Sequence, residues 1–294
     1  DLSNWDTSSV TSMAYFLQAC GSLIEVKGLG SFNTSKVTNL SGALQVHKLT
    51  NIQEISNWDI SNCTNFAYLF STSTLTGELD LSNWSPAKAE NMQNMFALTN
   101  LTSINLSGWD VPKLNSMTSM FAGHGTNSLI SVNMSNWTME TPANMNSMFY
   151  NNPNLTSIDF TGSKMVSSGL QQTFQTCTKL TSLDVGGFDT SQCTNMGLTF
   201  SLSSKLTTLI GIENWVTDKV TAMNDMFNGL TQITELNLVN WDTRKVVSDN
   251  TNMFRSWTSA QTVYYEPPFW SIGTTTLNSN INWVINVTRN NGYW

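Results

Sequence analysis

The sequence predicts an α/β solenoid, with a parallel sheet on one side, short helices on the other and about ten coils. Three observations predict it. A corner aromatic recurs at Trp5, Phe32, Trp58, Trp84, Trp109, Trp137, Phe188, Trp215 and Trp241, with gaps of 27, 26, 26, 25, 28, 51, 27 and 26 residues. An apolar run that alternates as a strand does precedes each corner. An apolar set at helical spacing follows it. A unit of this size cannot bury either apolar face alone, so the units must stack to have an interior.

Residues 101–121, LTSINLSGWDVPKLNSMTSMF, are the reference unit. Ile104 and Leu106 point one way in a short strand, with Asn105 and Ser107 turned the other way. After Trp109 the period changes: Leu114, Met117, Met120 and Phe121 are spaced by three, three and one, which predicts about two helical turns. Asp110 and Pro112 stand where such a helix would start. The gap of 51 hides a degenerate copy whose strand, 155–160, is intact but whose corner falls at Ser163, with Ser167 and Gln171 in place of helix core. Local stability is expected to dip there, since each unit leans on its neighbours. Two copies are stretched by one residue, at Leu23-Val26-Leu29 and Leu206-Leu209-Ile212. The period ends near Phe254, which divides the chain into a solenoid over 1–257 and an aromatic-rich segment over 258–294. That segment is expected to be a C-terminal cap, an aromatic binding platform or the start of a following domain. Within it, alternation over 282–288 predicts a strand.

Composition narrows the function. Charged residues are 11% and the net charge is −7, which argues against nucleic acid and against an anionic membrane surface. No apolar run reaches the roughly 18 residues a membrane span needs, so direct membrane insertion is not expected. The chain starts inside a strand phase, so a longer parent protein is expected, with its signal peptide and anchor outside this fragment. Cys63 and Cys193 share one column and Cys20 and Cys177 another, five and six coils apart, too far for disulfides at roughly 4.8 Å per coil. Free buried thiols are expected. No metal or cofactor is expected, because no paired Cys or His spacing and no phosphate-binding glycine loop is present. The two histidines, His47 and His124, fall three coils apart, and no nucleophile–histidine–acid set can be assembled. No catalytic residue is assigned and no enzyme is expected.

The strand phase, L-x-x-L-x-L-S-x, resembles a leucine-rich repeat, so the predicted solenoid is leucine-rich-repeat-like. The phase after it is narrower. Residues 1–13, DLSNWDTSSVTSM, with Asn240-Trp241-Asp242-Thr243 and Met223–Phe227, resemble the 26-residue repeat of BspA-like leucine-rich repeat surface proteins of bacteria. The resemblance covers about residues 1–254. It implies an extracellular protein of the bacterial cell surface, held at the wall or membrane, that binds a host extracellular-matrix protein, a mucin or other glycan, or another bacterial surface. It implies no shared ligand and no catalytic residues.

Candidate contact residues come in columns. The outward position four residues before the corner carries Glu54, Asp80, Asn105, Asn133, Asp159, Asp184 and Asn237. These predict a polar, mildly acidic strip on the concave side, either a ligand face or simply solvated strand positions. Asp6, Asp59, Asp110, Asp189 and Asp242 follow the corner and are expected to cap helices. The corner tryptophans are expected to stack in the core. Tyr264, Tyr265 and Trp270 are possible aromatic contacts, and Tyr15, Tyr68 and Tyr150 lie outside the core columns. Adhesion is thus the expected function. A structural stalk presenting another domain is the alternative, and ice binding a third reading, weakened by the irregular threonines after the corner.

Overall fold

The computed structural model describes residues 1–45, 48–49, 52–123, 128–247, 252–266 and 281–285. There the chain winds as a parallel β-solenoid of about seven strand-bearing turns. In chain order its strands are β1 (Thr76–Asp80), β2 (Asn100–Asn105), β3 (Ser131–Asn133), β4 (Ala143–Asn144), β5 (Ser157–Asp159), β6 (Met165–Gly169), β7 (Ser182–Asp184), β8 (Phe188–Asp189), β9 (Thr208–Ile210), β10 (Glu235–Asn237), β11 (Thr262–Tyr265) and β12 (Asn282–Ile285). All pairings are parallel. One face carries β1-β2-β3-β5, then β7-β9, then β10-β11-β12, and a second carries β4-β6-β8. Of the strand predicted at 282–288, residues 282–285 form β12, which extends the sheet beyond β11, and residues 286–288 lie outside the described residues.

A third line of contact runs along the stack through single bridges. Ser12, Asn39, Asn65, Asn91, Ser116 and Asn144 join in succession. Before β1 this line, not a sheet, holds the turns together. The leading segments there form 3-10 turns, Leu29–Ser31 and Gln53–Asn57, so an array of ten equivalent strand–helix coils is not what the chain builds.

The predicted helices are absent: no α-helix occurs among the described residues. The apolar spacing of three, three and one is real, but tight turns satisfy it. Met117, Met120 and Phe121 are fully buried, yet the amide of Met120 donates to Met117 O at 3.0 Å and that of Ala122 to Ser119 O at 3.0 Å. The alternate amides donate to the next turn: Met117 N to Asn144 O, Ser119 N to Asn146 O and Phe121 N to Met148 O. A left-handed residue in each turn enforces this pattern. Tyr15, Gly42, Tyr68, Asn94, Ser119, Ser147, Gln172, Leu198 and Asp225 all have φ between 52° and 61°. Such a residue ends any right-handed helix. The Ser, Thr and Asn around it are weak helix formers that bond locally instead.

Two aromatic ladders fill the interior. Phe70, Phe96, Phe121, Phe149, Phe174, Phe200, Phe227 and Phe254 stack with successive ring centroids 5.0 to 5.9 Å apart. The corner column stacks likewise, Trp84 on Trp109 at 6.3 Å and Trp109 on Trp137 at 5.3 Å. Each corner indole from Trp58 onward also donates to a carbonyl one turn back, Trp109 Nε1 to Leu81 O at 2.9 Å and Trp137 Nε1 to Leu106 O at 2.6 Å. From Phe32 onward the corner aromatics are buried as predicted, and their rings pack in three runs, Phe32–Trp58, Trp84–Trp109–Trp137 and Phe188–Trp215–Trp241. Trp5 departs from this, being 55% exposed.

The degenerate turn is repaired chemically. Ser163 Oγ donates to Met134 O at 2.6 Å, taking over the bond an indole makes elsewhere, and accepts from Trp137 N at 3.0 Å. Phe160 occupies the vacated volume, edge-on to Phe188 at 5.1 Å. Among the cysteines, Cys63, Cys177 and Cys193 are buried and free, and burial pushes each thiol up to about 12. Cys20 is free but exposed, contrary to the expectation that all four would be buried. Its column-mate Cys177 is covered by the turn before it, where Phe149 O lies 3.3 Å from its sulfur.

Candidate functional site

The predicted strip is built by strand alternation. In β1, β2, β3 and β5 the middle residues Leu79, Ile104, Val132 and Ile158 turn inward, and the residues on either side turn outward. Register then aligns them. Asp80 pairs with Asn105, Asn105 with Asn133, and Asn133 with Asp159. Beside them Glu78, Ser103, Ser131 and Ser157 form a second outward column. Contacts run along both: Asn105 Nδ2 donates to Asp80 Oδ1 at 3.1 Å, and Ser131 Oγ to Ser103 Oγ at 3.0 Å.

Farther on, Asp184 pairs with Ile210 and Asn237 with Tyr264, so the strip continues in two separate segments. Sequence reasoning missed Ser103, Ser131 and Glu78, although each stands two residues before a named strip residue and period two assigns it to the same face. It also missed Ile210, half exposed in the column. The stretched repeat had displaced it from the counted position.

Two candidates are not brought into the strip. Glu54 lies in the 3-10 turn Gln53–Asn57, and its Oε2 accepts from Gly30 N at 3.1 Å. Tyr265 turns inward beside outward Tyr264, and packs edge-on against Trp283 with centroids 5.7 Å apart. Trp270 and both histidines lie outside the described residues. Tyr15 is exposed, Tyr68 less so and Tyr150 half-buried.

The strip carboxylates and amides have a structural task as well. Asp80 Oδ1 accepts from Ser82 N at 2.9 Å, Asn133 Oδ1 from Ser135 N at 2.9 Å, Asp159 Oδ1 from Thr161 N at 2.8 Å and Asp184 Oδ1 from Gly186 N at 2.9 Å. These are Asx-turns, in which the side chain closes the corner on its own backbone. One oxygen is thus committed and the remaining polar atoms face out. The backbone amide of Ser82, then its hydroxyl, holds the Asp80 carboxyl below the usual carboxylate range.

The post-corner acids work the same way and not as helix caps, since no α-helix follows them among the described residues. Asp6, Asp59 and Asp189 each accept from the amide two residues on, at 2.9 to 3.0 Å. The threonines after them turn inward. Thr190 Oγ1 donates to Val216 O at 2.9 Å and accepts from Val216 N at 2.8 Å. Thr217 repeats this bridge to Asp242. A hydroxyl array facing solvent is not formed at these positions.

The strand face carries Glu78, Asp80, Asp159, Asp184 and Glu235, while the lysines four residues after corners share their face with the post-corner acids, as Lys36 does with Asp6 and Lys245 with Asp242. Lys88 Nζ donates to Asn62 Oδ1 at 2.5 Å and Lys219 Nζ to Gln192 Oε1 at 2.8 Å, each across one turn. Among the described residues no group of three or more His, Cys, Asp or Glu is placed to hold a metal, and no helix is long and apolar enough to cross a membrane.

No curated protein matches the chain. One family does, described as "Mycoplasma protein of unknown function, DUF285", at residues 1–25, 21–131, 78–161 and 168–268. Those matches span most of the solenoid and reach into β11, so the chain belongs to the DUF285 family.

Proposed function

We propose that this chain is a non-enzymatic binding module of a bacterial cell-surface protein, extracellular, that attaches to a host matrix protein, a glycan or another cell through the strand face. A kinship with BspA-like surface proteins is part of the same proposal, supported by the W-D-T-S motif at Trp5-Asp6-Thr7-Ser8. The observation that carries the reading is the continuous register that runs from Glu78–Asp80 of β1 through β2 and β3 to β5, beyond the bulge between Gly77 and Glu78. It lines up two outward columns of Asp, Asn, Ser and Glu on a rigid stack. Contact spread over many weak, identically spaced groups suits an extended polymer or surface better than a small molecule.

An array of glycans and matrix proteins probed with the chain tests this. Ser131→Arg with Ser157→Arg places bulk and positive charge on the strip without touching the Asx-turns, and binding should fall at least ten-fold with no change in melting. Equal binding by that variant would remove the strip from the account. No binding to any surface, together with tolerance of deleted repeats, would favour a spacer.

A further inference from the structure

The repeats stretched at Leu23-Val26-Leu29 and Leu206-Leu209-Ile212 leave the same mark on the fold, and Leu49-Ile52-Ile55 shares their spacing and a 3-10 turn, entered there from Ile52 instead of a glycine. In the first two, the extra residue is absorbed by a 3-10 turn entered through a left-handed glycine: Gly28 (φ 88°) before Leu29–Ser31, and Gly211 (φ 81°) before Ile212–Asn214. A side chain is not tolerated there, since a Cβ on Gly211 would lie 2.3 Å from Gly186 Cα. After the turn at Ile212–Asn214 the next strand does not pair back. β9 pairs back to β7, β10 pairs forward to β11, and no ladder joins β9 to β10. A cleft of about 560 Å³ opens between them. The other stretched repeat opens a smaller one of about 110 Å³ beside Gln53 and Glu54.

The larger cleft has the volume of a small-ligand site. Its floor is the aliphatic Leu209 and Leu236, and its walls carry Thr208, Glu213, Glu235, Asn237 and Tyr264. Tyr264 Oη lies 3.4 Å from Glu235 Oε2, which fixes the ring beside a carboxylate. Asn237 commits its Oδ1 to Val239 N at 3.3 Å, leaving its Nδ2 as a donor. Hydroxyl, amide and carboxylate groups around one aromatic face can hydrogen-bond a ring of hydroxyls while stacking on its C–H side. Among the described residues no lysine or arginine lines the cleft, so a sulfated or carboxylated sugar would meet only like charge from them.

We propose that the β9–β10 cleft is a binding site for an uncharged or amino-bearing oligosaccharide, with Tyr264 as the stacking platform and Glu235 and Asn237 as hydrogen-bonding partners. This deepens the reading of the strand face as a binding surface and assigns it a discrete subsite.

The test is calorimetric titration of the whole chain with three probes: tetramers of glucosamine and of N-acetylglucosamine, and a heparin tetrasaccharide. Saturable binding is expected for at least one of the first two and none for the third. Tyr264→Ala should weaken it roughly ten-fold, the scale of one aromatic contact, and Glu235→Gln should weaken the glucosamine tetramer more than the acetylated one. Lys88→Ala, on another face, should bind as the parent does. Thr208→Val is a milder cleft variant should Tyr264→Ala melt early, and it too should bind more weakly. No saturable binding to either tetramer, preferred binding of heparin, or full affinity in Tyr264→Ala and Thr208→Val would overturn the proposal. Because the Ser131/Ser157 variant lies on β3 and β5, loss of the cleft with retained surface attachment would sink this inference alone.

Discussion

Trp109 shows how one residue serves two interactions in every regular turn. Its ring stacks between Trp84 and Trp137, and its indole N–H reaches Leu81 O one turn back. Trp109→Phe keeps the stack and abandons the hydrogen bond, which should cost about 1–3 kcal/mol. Trp109→Ala removes both and should cost at least about 3–5 kcal/mol. Denaturant unfolding separates the two. The corner carboxylates make a second residue-scale prediction. Asp6, Asp59 and Asp189 are each held below the ordinary value of 3.8, chiefly by the hydroxyl and then the amide of Ser8, Ser61 and Ser191. The unfolded chain therefore binds protons first on acidification. The contribution is whole above about pH 4 and is lost as pH falls through the lowered folded values. Melting temperature should drop below that point, and should drop less in the triple Asp→Asn variant. Asn can close the same turn without a titrating group, as Asn33 does for Ser35. An identical acid response in the variant would contradict the assignment. This much was legible in part: the repeat placed the corner aromatics from Phe32 onward in a buried column and missed the exposure of Trp5, and it misread the aspartates after the corner only because it presumed helices.

At the scale of the element, the segment after the corner holds the main correction. Leu114, Met117, Met120 and Phe121 satisfy a helix and a pair of tight turns equally well, because both put residues three apart on one side. What decides between them is the left-handed residue, and Tyr, Asn, Ser, Gln, Leu and Asp all occupy it, so composition does not announce it. Only Gly42 does so openly. Ser119→Gly should stabilise the protein by about 1 kcal/mol, relief of the left-handed cost outweighing the added chain entropy. Gly42→Ala should destabilise it, since φ is +60° and a Cβ there would meet the Tyr15 ring at 2.5 Å. Circular dichroism provides an independent check, as a far-ultraviolet spectrum with strong helical minima would contradict these turns. The stretched repeats were visible as an extra residue, but not their consequence. The missing ladder between β9 and β10 is a matter of backbone course after the turn, which no periodicity states.

For the whole molecule, the repeat length was the most legible property, and it follows that complete units are the unit of deletion. Removing residues 85–109, from one corner to the next, should leave cooperative melting. Removing half that length should not, because it throws every later column out of phase. Parallel stacking, the two aromatic ladders and the polar strand face all follow from that phase. The repair of the turn at Ser163 by Phe160 does not, since it rests on three-dimensional proximity between residues that the column count assigns to different places. The central claim is that the turns stack in register, one strand spacing at a time. Spin labels on Lys88 and Lys219, and on Lys88 and Lys245, in a Cys20→Ser background measure this most directly. The same columns put five and six turns between the labelled backbones, so pulsed-resonance distances should centre near about 24 Å and about 29 Å. A second distance equal to or shorter than the first, or one far beyond these lengths, would contradict the stack.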